Sequence, residues 1–261
     1  MTISYGERMS RFVALLLSLV GCGACGRSSK TSPDDVFTAG ADAVVNVPGE
    51  PGLGAHGLAF FRYQASSPTT ISSPALSTQA TGSTMIVSIG RGNFSAFALP
   101  TDTQGNAPYQ RLDTEHTYTR YSSSGTAVYA FPNLVGGSGH LVRAATPSDD
   151  EITLAAVEVV HAGTVHQVVW NEALAAPLTS RSVSTTGPAT LVAFWWGDAN
   201  EDMNKTATPN NGFVVIDSIL QSGALVQCAV AVKNVSVAGT YDVTWTATPA
   251  QGAQLWLIAV Q

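Results

Sequence analysis

Gly137-Ser-Gly-His-Leu-Val-Arg-Ala-Ala-Thr-Pro147 returns 102 residues later as Gly239-Thr-Tyr-Asp-Val-Thr-Trp-Thr-Ala-Thr-Pro249, keeping the opening glycine and the closing Ala-Thr-Pro. An apolar stretch follows each. With one residue inserted, Ile152-Thr-Leu-Ala-Ala-Val-Glu158 falls on Leu255-Trp-Leu-Ile-Ala-Val-Gln261. Upstream, Gly82-Ser-Thr-Met-Ile-Val-Ser-Ile-Gly90 matches Gly187-Pro-Ala-Thr-Leu-Val-Ala-Phe-Trp195 at an offset of 105. Three matches in the same order predict two copies of a unit of about 100 residues, 57–159 and 160–261.

Within each copy the apolar residues either alternate or form short runs rich in Val, Ile, Thr, Phe and Trp, the pattern of half-buried and fully buried strands. The first copy predicts strands at 126–131, 140–144 and 152–160, and the second at 190–196, 212–216, 225–232, 241–246 and 254–260. Thr103-Gln-Gly-Asn106, Val135-Gly-Gly137 and Pro209-Asn-Asn-Gly212 punctuate them, because Gly and Asn tolerate the backbone angles of tight turns. The one helical candidate is Trp170-Asn-Glu-Ala-Leu-Ala-Ala176, ahead of Pro177. The expected fold is therefore all-β: two tandem antiparallel β-sandwich repeats, jelly-roll-like, with the residues leaving open whether they pack as two sandwiches or as halves of one. The unit resembles a β-sandwich module of uncharacterised exported bacterial proteins, with Thr101-Asp-Thr-Gln-Gly-Asn106 before an aromatic and a closing strand ending in Glu. That resemblance implies no activity.

The composition narrows the function classes. Of 261 residues 45% are hydrophobic and only 11% charged, against about 25% in ordinary soluble domains. The formal charge is −6 and no Lys/Arg run exists to neutralise phosphates, so nucleic acid is not an expected partner. Three cysteines exclude a disulfide framework, and Cys228, inside the apolar run 224–232, reads as a small buried hydrophobe.

The N-terminus carries the clearest address. Arg8 and Arg11 precede the apolar run Phe12–Val20, which is too short to span a bilayer but has the length of an export signal's apolar region. Leu19-Val-Gly-Cys22 resembles the lipobox of bacterial lipoprotein precursors. The resemblance implies cleavage after residue 21, diacylation of Cys22 and anchoring in a membrane, the outer one in a Gram-negative cell because Gly23 rather than Asp follows. Each buried methylene adds about 0.8 kcal/mol, so two or three chains hold where one would not. Residues 22–56, polar and broken by Gly and Pro, read as a flexible tether with a reach of about 30 Å.

Residues with chemical potential are scattered. Gly136-Gly-Ser-Gly-His140 approaches a nucleophile elbow but lacks its last glycine, so Ser138 reads as a turn residue. His56, His116, His140, His161 and His166 have no zinc-ligand spacing. Asp113, Glu115, Glu151, Glu158 and Glu172 form no glycosidase pattern, although Glu158 stands on a core-facing side of its strand, opposite its copy mate Gln261. Asp198, Asn200 and Asp202 have the alternate spacing with which oxygens converge on Ca²⁺, but Met203 and Pro209 replace the Gly and Glu of an EF-hand loop. Adjacent Trp195 and Trp196 point to opposite sides of a strand, so an outward one would stack on a sugar or partner, and an inward pair would be core. The expected function is a non-enzymatic binding or structural role at the cell envelope, with a glycan or envelope protein as partner. The rivals are a carbohydrate-binding module with Ca²⁺ in the Asp198 loop and an envelope hydrolase whose site the spacing hides.

Overall fold

Three mostly apolar strands, Ser83–Arg91, Ile152–Val160 and Ala253–Val260, are buried at every residue. A strand that buries both faces must lie between two layers, which is why such runs do not alternate. The computed structural model describes residues 44–61, 69–93, 97–106, 108–145, 150–198, 205–221, 226–248 and 250–261, and among them there is no helix.

Two long antiparallel sheets form the middle of the molecule. The first runs Gly52–Phe61, Ile152–Val160, Ser83–Arg91, Tyr121–Phe131, with Gln110–Arg111 and His116–Tyr118 both pairing with the last of these. The second runs Val165–Ala173, Ala253–Val260, Ala189–Asp198, Val226–Val235, Val214–Ile219. In each half, then, the first long strand pairs with the last, and the last with the second. Short strands repeat the correspondence. Thr70–Ser72, Val142–Ala145 and Thr101–Asp102 form a three-stranded sheet in the first half, as Leu178–Thr179, Thr244–Thr248 and Thr206–Pro209 do in the second. Leu76–Ser77 with Ser138–His140 likewise matches Val183–Thr185 with Gly239–Tyr241.

Side-chain direction sorts the interior into three cores. Met85, Val87, Ile89 and Leu154 face the first half's short strands, meeting Ile71, Leu76 and Val142. Leu191, Ala193, Trp195 and Leu257 face those of the second, meeting Leu178, Val183 and Trp245. The opposite faces of both long sheets meet each other, with Ile86, Val128, Ala155 and Val157 against Phe194, Trp196, Val230 and Ile258. The halves are thus two sandwiches packed back to back through their long sheets, four layers around three cores. Trp196 has its place in the central core because Gly90 faces it: a Cβ at Gly90 would stand 1.7 Å from Trp196 Nε1.

Polar groups also cross the central core. Trp256 Nε1 donates to Thr126 Oγ1 at 2.8 Å, and that hydroxyl donates to Gln254 Oε1 at 2.6 Å, all three side chains being buried. At one rim the edge strand Gly52–Phe61 packs on Val214–Ile219, and at the other the His116 ring stacks on Trp170 at 3.7 Å between centroids. Beside that stack Thr119 donates to Glu172 through its amide, 2.9 Å, and its hydroxyl, 2.6 Å.

Several expectations need correction. The tether expected through residue 56 ends earlier, because the arm from Val44 to Glu50 is bonded to the body and Gly52–Phe61 is a strand. Trp170–Ala176 is not helical, since Val165–Ala173 pairs along the edge of the second sheet to Ala173. The offset of 105 sets Met85 against Thr190, but the residues that face their own sandwich's core are Met85, Val87 and Ile89 in one strand and Leu191, Ala193 and Trp195 in the other. An offset of 104 brings the faces into phase and sets Arg91 on Trp195. A slip of one residue turns every side chain to the other face.

Candidate functional site

The arm is fastened by amides. Asn234 Nδ2 donates to the Val45 carbonyl at 2.9 Å and to Asn46 Oδ1 at 2.8 Å. Asn46 in turn holds Leu53 in both directions, donating to its carbonyl at 2.8 Å and accepting its N–H at 2.9 Å. Gly49, at φ +80°, closes the turn in which Glu50 N donates to the Val47 carbonyl, and Ser236 Oγ donates to Glu50 Oε2 at 2.9 Å. Between this arm and the first sandwich lies an open groove of about 430 Å³. Asn46, Val47 and Pro48 form one wall, Leu53 and Val160 carry the apolar part of the other, and Gln79, Glu158 and His161 supply the polar part.

Glu158 is the group around which the groove is built. Its strand pairs with Gly52–Phe61 through a bulge between Leu53 and His56, where the ladder skips. A bulge leaves a backbone amide unpaired, and here Ala55 N donates instead to Glu158 Oε2 at 3.0 Å. The other oxygen accepts Gln79 N at 2.8 Å, from the segment that follows the short strand Leu76–Ser77. Backbone and carboxylate approach so closely that only glycine fits at position 54, where a Cβ would stand 2.6 Å from Oε2. Glu158 is 1% exposed, yet among the described residues no Lys, Arg or His side chain comes within ion-pair distance of it.

The other residues singled out in the sequence fall elsewhere. Trp195 and Trp196 are 0% and 1% exposed, so the ring faces that would stack on a sugar are inside the protein, in two different cores. Asp198 ends its strand opposite Val226, while Asn200, Asp202 and the lipidation residue Cys22 lie outside the described residues. Among the described residues no three His, Cys, Asp or Glu side chains gather as metal ligands. Ser138 has no base in His140, which is fully buried, its Nδ1 3.0 Å from Thr78 Oγ1 and its Nε2 3.2 Å from Asp102 Oδ2 at an angle that makes no hydrogen bond. The remaining carboxylates are engaged: Glu115 with Arg111 at 2.9 Å, Asp113 with His116 at 3.3 Å and Glu172 with Thr119.

One pair had no trace in the spacing. His56 Nδ1 lies 2.8 Å from Asp217 Oδ2, joining the edges of the two long sheets across 161 residues of chain. Behind it Cys228 is buried in the central core, and burial, with Asp217's charge adding to it, pushes its thiol far above the ordinary range. Such a thiol is inert. The groove combines open volume with a buried carboxylate. Comparison with protein-family models, curated proteins and solved structures finds no match.

Proposed function

We propose that this is a lipid-anchored protein of the bacterial envelope with a non-enzymatic binding role, and that its ligand seats in the groove between the arm and the first sandwich. The observation that carries the binding part is the groove itself: some 430 Å³ of open volume with a buried carboxylate in its lining. That volume falls in the range of small-molecule sites, about 300 to 1,000 Å³, and the lining mixes apolar with polar groups in about equal part. The way Glu158 is held supports binding rather than chemistry. A carboxylate whose two oxygens each accept a backbone N–H, from Ala55 and Gln79, is fixed in place and poorly suited to attack or to swing between proton donor and acceptor.

The anchoring part rests on Leu19-Val-Gly-Cys22, preceded by a charged and then an apolar stretch. The arm that walls the groove is also the segment through which a lipid on Cys22 would be joined to the body. The matching strand order of the two halves supports reading the body as two copies of one module.

Intact mass of the protein extracted from its native membrane, wild type beside Cys22→Ala, tests the anchor. The expected wild-type mass lacks residues 1–21 and gains acyl chains, while the variant stays unprocessed. Cleavage of both without added acyl mass overturns the anchor.

A further inference from the structure

The molecule contains its own control for Glu158. At the corresponding corner of the second sandwich Gln261 occupies the copy position, and Oε1 accepts the Thr186 N–H at 3.4 Å and its hydroxyl at 3.2 Å. Its Nε2 donates to the Pro188 carbonyl at 3.4 Å. In both halves a side chain near the end of the last long strand ties down the segment that follows the short strands, Gln79 in one and Thr186 in the other. A neutral amide performs that task in the second half, where one partner donates and the other accepts; in the first half both partners donate, which a carboxylate meets with its two oxygens, and its negative charge comes with that arrangement. Removing a carboxylate from water without a counter-charge is costly, and two backbone amides offset only part of the cost. A counter-charge brought by a ligand would offset the remainder.

We infer that the groove beside Glu158 receives a ligand bearing a primary ammonium group, on an amino sugar or on an alkyl chain, with the ammonium paired to the Glu158 carboxylate. The inference rests on the reading of the groove as a binding site. Three features of the lining fit this chemistry. Among the described lining residues the carboxylate is the only anionic side chain, and the lining holds His161 but no lysine or arginine. Val47, Leu53 and Val160 offer an apolar wall for the stem that carries the ammonium, and the Asn46 and Gln79 side chains can bond hydroxyls. An ammonium presents three donors, and each carboxylate oxygen has lone-pair capacity beyond the single N–H it accepts. Charge-assisted hydrogen bonds are roughly twice as strong as those between neutral groups.

The test is calorimetric titration, at low ionic strength, of the mature lipidated protein in detergent micelles. Glucosamine and 1,5-diaminopentane are the cationic probes, and N-acetylglucosamine and glucose are the neutral matches. Glucosamine is expected to bind at least about tenfold more tightly than N-acetylglucosamine, the factor that about 1.4 kcal/mol represents, and to weaken as salt is added. Tighter binding of glucosamine than of the diamine assigns the ligand to amino sugars, and the reverse order assigns it to alkyl amines. Glu158→Gln is expected to remove the preference for the ammonium. Because its amide sets an N–H₂ against one backbone donor, Val47→Lys is the companion variant: Val47 is 41% exposed, so the new ammonium reaches the groove without disturbing the interior and blocks both cationic probes. Equal binding of N-acetylglucosamine and glucosamine, unchanged in Glu158→Gln, overturns the ammonium assignment and leaves the groove as a neutral-sugar site. Absence of heat from all four probes overturns the ammonium assignment and the binding role together.

Discussion

In the first sandwich Arg91 Nε donates to Asp150 Oδ2 at 2.6 Å, both side chains sealed from solvent. Asp150 Oδ1 also accepts the amides of Asn93 and Glu151, at 2.8 Å each. A second buried hub is Asp102, which accepts Tyr109 Oη at 3.0 Å, Asn106 Nδ2 at 2.8 Å and the amides of Gln104 and Asn106 at 3.0 Å each. The second sandwich has the same strand order but fills the matching layers with indoles. All five tryptophans of the chain lie at or after position 170, and Trp195 stands where the first half has Arg91. Strand order and burial pattern are common to the halves, whereas the chemistry of the core is not. The difference teaches that this fold asks for volume and for satisfied polar groups, and accepts either a bonded ion pair or an aromatic ring to supply them.

The comparison breaks most violently at the ion pair. Asp150→Asn removes the carboxylate charge that the buried Arg91 guanidinium bonds and is expected to cost about 3 to 5 kcal/mol, read from urea unfolding. Adding Arg91→Met to it should recover part of the loss, because an apolar side chain is what the second half tolerates at this position. If Asp150→Asn costs under about 1 kcal/mol, the first half does not depend on its charges and the contrast between the halves is empty.

Gly90→Ala attacks the core that the halves share. The new methyl would meet Trp196 Nε1, and overpacking of this kind costs about 1 to 3 kcal/mol. Tryptophan fluorescence reports the second half and, through Trp196 and Trp256, the shared core, whereas far-ultraviolet circular dichroism reports both sandwiches. A lesion in the first half is therefore expected to move both transitions together, and Trp196→Phe added to it should restore some stability. Separate midpoints for the two signals would show that the central core does not couple the sandwiches.

Much of this architecture was legible in the chain. Strands such as Ile152–Val160 and Ala253–Val260 stand out as nearly continuous apolar runs because both faces are buried. The edge strands were harder. Gly52–Phe61 begins Gly-Leu-Gly-Ala-His-Gly and reads as linker, and the Ala-Leu-Ala-Ala of 173–176 suggests a helix where a strand ends. Both are only part-buried along most of their length, which blurs the alternation that marks a strand. The site was half visible. A Glu on a core-facing position of an apolar strand is conspicuous, but its partners Ala55 and Gln79 are 103 and 79 residues away and bond through backbone, which leaves no residue signature. The His56–Asp217 pair, separated by 161 residues, is hidden for the same reason.

Alkaline pH separates the halves by a gentler route. Burial, then the charge of Asp102 and the hydrogen bond it accepts, pushes the Tyr109 phenol far above its ordinary value. Tyr129 is raised as well, chiefly by burial, and so is the Cys228 thiol. All three hold their protons more tightly folded than unfolded. Their contribution to stability is whole below the unfolded values, about 8.5 for Cys and about 10 for Tyr, and drains away as pH rises through and beyond them. Unfolding free energy is therefore expected to fall from about pH 8.5 upward. Cys228→Ala should flatten the early part of the fall, and Tyr109→Phe the part above about pH 10. A profile flat to pH 11 in the wild type would contradict the burial of these groups.

The smallest expected effect bears most directly on the meaning of Glu158. Gln261→Glu gives the second half the residue of the first, but its corner does not offer the same partners. Gln261 accepts from Thr186 and donates to the Pro188 carbonyl, and a carboxylate keeps the first contact while setting an oxygen against that carbonyl. A lost weak hydrogen bond with some repulsion predicts a cost of about 1 kcal/mol, seen as a modest drop in the urea midpoint with the slope unchanged. A neutral or stabilising outcome would mean that either corner accepts a charge at no cost, and Glu158 would then need no ligand to account for it. A measurable cost means that the first half had to be shaped for its carboxylate, by the bulge that frees Ala55 N and by the glycine at 54 that lets the backbone come close. Shaping of that kind around one charge is what a binding site requires and a simple strand end does not.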